Sequence, residues 1–196
     1  MSKSDRKQAI LDTALSLFVA QGFHATTTAS IAREAGVATG TLFHHFASKD
    51  ALMDHLFLAV KQEFADAIVG AANQSGNLKQ DAKTLWFSAL DWAIAHPLKQ
   101  EFFQLYSMSP TIEQPVRAQA MNTILGFIAN LIEQGQQQGI LANYPIGLMQ
   151  DNCHGQYLAA TRYFIDHPDK WQLDDHKEAS FNLFWHAMVI PISSRK

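Results

Sequence analysis

The chain has 196 residues, 47% of them hydrophobic and 17% charged, with a net charge of −3, which suffices for a substantial core in one large or two small domains. Its one cysteine, Cys153, excludes an intrachain disulfide and suits a reducing compartment. The polar start MSKSDRKQ lacks the apolar centre of a signal peptide, and apolar runs such as 118–132 are too short and too polar to span a bilayer, so a soluble cytoplasmic protein with no membrane partner is expected.

In chain order, the first helix is expected from residue 4 or 5 to 21, with Ile10, Ala14, Leu17 and Phe18 as its buried stripe and Gly22 as its stop. Thr28 can cap a second, short helix, since its hydroxyl accepts from an unpaired backbone N–H. Ile31, Ala32 and Ala35 share one face of that helix, and Gly36 ends it. Val37 re-enters the core, and a third helix covers 38–45 with Leu42 and Phe46 inward at i, i+4. Two short helices joined by a tight turn form a helix-turn-helix, which offers a short exposed helix to the DNA major groove. Ser48 is a suitable N-cap for a fourth helix, with Asp50 in its first turn and Leu52, Leu56, Ala59, Val60 and Phe64 along one face to about Ala72.

The segment NQSGN (73–77) reads as a loop and a hinge between subregions. Residues 78–96 form a helix apolar nearly all round, which belongs in the centre of a bundle. Pro97 opens the next helix, which ends near Ser109 and Pro110. One long helix is expected over 112–138, another from Pro145 to Asp166, and a last one over 174–190. The expectation is an all-α protein of about nine helices, with a three-helix head and a larger helical body.

The succession QGFHATT, IAREAGVATGTLFHHF and SKDAL resembles the DNA-binding domain of the TetR family of bacterial transcription regulators. The resemblance is specific over about 40 residues, from Ile10 to Leu52, and beyond residue 75 it rests on length and helical pattern. It implies a DNA-binding domain over 1–50 and an effector-binding and dimerisation domain over 51–196. Carried over by position, the DNA-binding residues are Thr28, Thr39, Gly40, Thr41, Phe43, His44, His45 and Lys49. Thr28 would offer a hydroxyl and an amide to phosphate, Thr39 and Thr41 would meet base edges or a thymine methyl, and Gly40 would permit close approach. Lys49, at the positive end of the fourth helix, would clamp a phosphate. Two positions depart from the family pattern: Phe43 stands where tyrosine is frequent and Thr39 where lysine is frequent, so one phenolic bond and one charge are missing.

Charge alone would not reveal a DNA partner. Residues 1–50 carry five basic and four acidic side chains, the remainder ten and fourteen. The body supplies material for an effector pocket: Trp86, Phe87, Phe103, Tyr106, Met121, Met149, Cys153, His154 and Tyr157. The same aromatics also serve as plain core. Phe181, Trp185 and Met188 share a stripe of the last helix and are the candidate dimer interface, with intrachain core as the alternative.

No metal or cofactor is expected, since the histidines lack ligand spacing. Cys153 and His154 are adjacent, so on a helix they point about 100° apart and do not form a nucleophile–base pair. The resulting expectation is a homodimeric, ligand-responsive regulator. It would act as a repressor on a two-fold symmetric operator and be released by an apolar or aromatic effector. A helical small-molecule-binding enzyme and an architectural DNA-binding protein without effector are the rival readings.

Overall fold

In the computed structural model, which describes residues 2–70 and 75–190, the apolar repeats become ten α-helices. They are α1 (Lys3–Gln21), α2 (Thr28–Glu34), α3 (Thr39–His45), α4 (Lys49–Gly70), α5 (Leu78–Ala95), α6 (Pro97–Tyr106), α7 (Gln114–Gln119), α8 (Gly126–Gln137), α9 (Ile146–Asp166) and α10 (Asp174–Met188). A π-helical turn (Ala120–Ile124) follows α7, and a 3-10 turn (Pro168–Gln172) precedes α10. The all-α expectation holds. The expected end of the fourth helix near Ala72, and Asn73 and Gln74 of the expected hinge, lie outside the described residues.

Boundaries follow local chemistry. Ser2 caps α1, which begins one or two residues earlier than expected, by accepting from the Asp5 N–H while the Asp5 carboxylate accepts from the Ser2 N–H. Gly22, at φ +80°, ends that helix in a conformation suited to glycine. Ser48 caps α4 by accepting from the Ala51 N–H at 3.0 Å, and Asn77 caps α5. The single helix expected over 112–138 is corrected to two. The chain widens into the π turn, Leu125 leaves helical geometry at ψ 15°, and α8 restarts at Gly126. A π turn shifts the helical phase; Leu125 is buried just before α8, and within α8 the buried positions are Ile132 and Gly135.

Two compact units result, Met1–Gln62 with Pro97–Ala120, and Glu63–His96 with Met121–Lys196. In the first, Ile10, Phe18, Ile31, Leu42, Leu52, Met53, Phe102 and Phe103 are all but inaccessible. The Tyr106 hydroxyl donates to the Phe18 carbonyl at 2.8 Å, which joins α6 to α1. The second unit is aromatic. Trp86 stacks on Phe184 at 4.5 Å, Phe64 packs edge-on against Trp92 at 5.1 Å, and Trp171 meets Phe164 at 4.8 Å. Two of the buried indole N–H groups find side-chain acceptors, Trp86 in Ser180 and Trp171 in Asp91.

One buried group stands out in the first unit. Lys61 is 2% exposed, and its ammonium lies 4.0 Å from the centroid of the Phe103 ring and 5.6 Å from that of Phe57. Removal from water pulls its pKa from 10.5 down to about 7. The unfolded chain holds this proton up to the ordinary lysine value, while the folded chain releases it near neutrality. Folding stability is therefore expected to rise with pH between about 7 and 10.5, and to be flat in this respect below 7. Lys61→Met should raise folding stability at pH 7, by on the order of several kcal/mol at most, with a higher thermal midpoint, and should flatten the rise. Thermal melts of both proteins at pH 6, 7, 8 and 9 check this.

Candidate functional site

The helix-turn-helix is built from two seven-residue helices. Thr27, not Thr28, caps α2. Its hydroxyl accepts from the Ser30 N–H at 3.0 Å while the Ser30 hydroxyl accepts from the Thr27 N–H at 3.2 Å. Three consecutive threonines left that register open by one residue, and Ser30 at the third helical position decides it. Thr28 becomes the first helical residue and is half-buried. Gly36, at φ +67°, makes the turn, and the Val37 N–H donates to the Ala32 carbonyl at 2.9 Å.

α3 hangs on Leu42, fully buried, and Phe46, 4% exposed. Those anchors leave Thr39, Gly40 and His44 exposed, Thr41 and His45 half-buried, and Phe43 47% exposed. A phenylalanine this open on a short helix can meet sugar or a thymine methyl. Lys49 sits differently from expectation, for its ammonium donates to the carbonyls of Phe23 and Thr26, at 2.8 and 2.9 Å.

The structure adds residues that sequence reasoning left unplaced. Lys3, Arg6 and Lys7 of α1 lie close enough to the end of α3 to act on His45, and the Lys7 ammonium is 5.9 Å from the centroid of the Phe46 ring. Basic charge from the start of the chain thus gathers beside His44 and His45. Their presence was countable in sequence, but their position depends on how α1 packs on α3.

The expected pocket residues are divided between the two units. Phe103 and Tyr106 belong to the first unit, where Phe103 faces Lys61 and the Tyr106 hydroxyl is committed to Phe18. In the second unit Met149, Cys153 and Tyr157 follow at i, i+4, i+8 along one face of α9. Met149 and Tyr157 are buried, and Cys153 is half-buried with its thiol directed at the Met188 sulfur, 3.7 Å away. Burial pushes that thiol up to about 12, so it stays protonated at neutral pH. His154 and Met121 are half-buried. Trp86 faces α10 through its stack on Phe184.

Phe181, Trp185 and Met188 are buried within their own chain, at 1, 7 and 3% exposure. The opposite face of α10 is open. Leu183 is 75% exposed and borders a groove of about 510 Å³ between α9 and α10, with Trp86, Ala160, Tyr163, His176 and Ser180. Among the described residues there is no group of three His, Cys, Asp or Glu side chains able to hold a metal, and no helix long and apolar enough to cross a membrane.

Residues 10–56 match the family model for bacterial regulatory proteins of the tetR family. The crystal structure of a tetR family transcription regulator from Shewanella sp. PV-4 shares 70% identity and superposes with a TM-score of 0.94, over 95% of this chain and 99% of that one. The chain belongs to the TetR family. The TetR-family match extends, at 29% identity over 138 residues, to the uncharacterized HTH-type transcriptional regulator YhgD of Bacillus subtilis, covering 70% of this chain and 72% of YhgD. The HTH-type transcriptional repressor KstR2 of Rhodococcus jostii is 44% identical over 54 residues, about a quarter of its length. TetR-family proteins are DNA-binding regulators rather than enzymes.

His45 is the group through which the α3 surface would respond to pH. Removal from water, then the nearby charges of His44, Lys3, Lys7 and Arg6, hold its imidazole below the ordinary 6.5. Phosphates alongside would favour the charged form, so DNA binding takes up a proton. Affinity for DNA should therefore strengthen several-fold as pH falls from 8 to 6, and His45→Gln should weaken that dependence. Fluorescence anisotropy across the pH range at fixed salt checks it.

Proposed function

We propose that this protein is a homodimeric repressor that reads a two-fold symmetric operator with α3 and is released by a small apolar or aromatic effector. The observation that carries the reading is the open face of α3, Thr39, Gly40, Thr41, Phe43 and His44, held by Leu42 and Phe46 beside the basic start of α1. Residues 1–50 supply this surface, with Thr28 and His45 at its margin, and residues 51–196 serve effector binding and dimerisation. Direct base contacts of the α3 kind contribute about 1–3 kcal/mol each, whereas phosphate contacts set position and salt dependence.

Two heads must reach half-sites ~34–36 Å apart, so function requires a dimer. We assign the partner-facing surface to the α9–α10 groove and to Leu183 rather than to the buried Phe181, Trp185 and Met188. The effector is assigned to the second unit, where Met149, Cys153 and Tyr157 of α9 offer an apolar wall, with Trp86, Met121 and His154 as further candidates. α4 is one uninterrupted helix that begins beside the reading elements and continues past residue 62 into the second unit. A change in α4 therefore reaches the head along the backbone. The effector must bind the DNA-incompetent arrangement more tightly, or it shifts nothing.

The test is binding to DNA from upstream of its own gene and to sequences selected from a random library. Wild type should bind one palindromic sequence in a salt-sensitive way, and Thr41→Ala/His44→Ala should weaken that binding by about 10–100-fold. No sequence preference in either pool would sink the regulator reading. On the same protein, Leu183→Asp should shift the sedimentation of the dimer toward monomer and weaken operator binding with it. A Leu183→Asp protein that remains dimeric would place the interface elsewhere.

A further inference from the structure

We propose that Lys49 is a positioning residue for DNA recognition, a tie that fastens the start of α4 to the turn entering α2. The inference rests on the reading of the head as a DNA-binding unit. It replaces the phosphate clamp that position alone suggested.

The geometry leaves the ammonium little freedom. A lysine head has three N–H donors and no acceptor. Two of them bond the Phe23 and Thr26 carbonyls, at 2.8 and 2.9 Å. The same nitrogen lies 4.3 Å from the centroid of the Phe23 ring, which covers a further side of the charge. Phe23 is itself 8% exposed and packs on Phe18 at 5.4 Å, so the aromatic floor belongs to the core.

The turn held in this way decides where α2 begins. After Gly22 the chain reverses, and Thr26, fully buried, donates its hydroxyl toward the carbonyls of Gly22 at 2.8 Å and Leu17 at 3.2 Å. The turn is thus bonded to α1 through Thr26 and to α4 through Lys49. Thr27, the next residue, is the cap of α2, and Thr28 its first helical residue. α2 has only seven residues, so its place depends on how the chain enters it. A displacement of the first turn of α4 is transmitted to that entry through two hydrogen bonds.

A tie and a clamp respond differently to salt. Loss of a phosphate contact lowers the slope of log affinity against log salt by about 0.9 per contact, or about 1.8 for a two-headed dimer. Loss of a tie weakens recognition of the operator without removing a phosphate contact, so the slope stays. The experiment compares full-length wild type, Lys49→Met, Lys49→Gln and Lys49→Arg. It reads circular dichroism, amide hydrogen exchange of the free proteins, and affinity for the selected operator and for unrelated DNA across a salt series.

The expected result for Lys49→Met is exchange about tenfold or more faster over residues 23–30, with residues 78–95 unchanged. Operator affinity should fall about 10–100-fold with an unchanged slope, so that the ratio of specific to non-specific binding drops. Lys49→Arg, whose guanidinium can also donate to two carbonyls, should restore much of it. A slope reduced by about 1.8 with unaltered exchange would show a direct clamp and overturn the proposal. So would wild-type affinity in Lys49→Met, or failure of both Lys49→Met and Lys49→Gln to fold, since the tie would then be a condition of folding and not of placement. If wild type itself shows no sequence preference, the DNA-binding reading fails and takes this role with it, while exchange still reports whether the tie exists.

Discussion

The reading surface depends on one constraint, the shortness of α2 and α3. Each has seven residues, and isolated helices below ~12–15 residues are marginal in water. Neither can exist here without burying its inner face. Ile31 and Ala32 do this for α2, and Leu42 and Phe46 for α3. Once those anchors are seated, helical spacing dictates that Thr39, Gly40, Phe43 and His44 point outward. The surface proposed to meet DNA is the complement of the surface that makes the helices stable. A substitution at Leu42 would therefore remove recognition through packing, with no contact to DNA involved.

Charge is distributed by the same economy. The head holds a bare excess of one basic residue over acidic ones within residues 1–50, far from the footprint that usually marks a nucleic-acid binder. Folding compensates by placement. The capped start of α1 brings Lys3, Arg6 and Lys7 next to His45, and Asp5, the acidic residue among them, is turned back onto Ser2. Local potential near α3 is then more positive than the count implies, and phosphate affinity responds to local potential.

The second unit solves a different problem. Its helices carry many aromatic side chains, and two of the indoles need a polar partner wherever they are buried. Ser180 serves Trp86 and Asp91 serves Trp171, so bulk and polarity are both accommodated within the unit. What remains open is the groove beside Leu183, where small residues of α9 and α10 lie side by side. Apolar surface of that kind is costly in water and is the natural place for a second chain.

The sequence by itself determined the helical content, the order of the head elements and the family. These follow from residues acting on near neighbours, such as caps at Ser48, stops at Gly22 and Gly36, and the spacing of Leu42 and Phe46. Only the tertiary structure decided which of three threonines caps α2, where the helix expected over 112–138 breaks, and which face of α10 is buried. It also set Phe103 against Lys61 and committed the Tyr106 hydroxyl to Phe18, and it turned Lys49 from an outward charge into an internal tie. The last two outcomes depend on partners distant in sequence. Lys49 bonds carbonyls 23 and 26 residues away, and Tyr106 bonds one 88 away. A helical repeat says that a face is apolar, but only packing says which neighbour covers it.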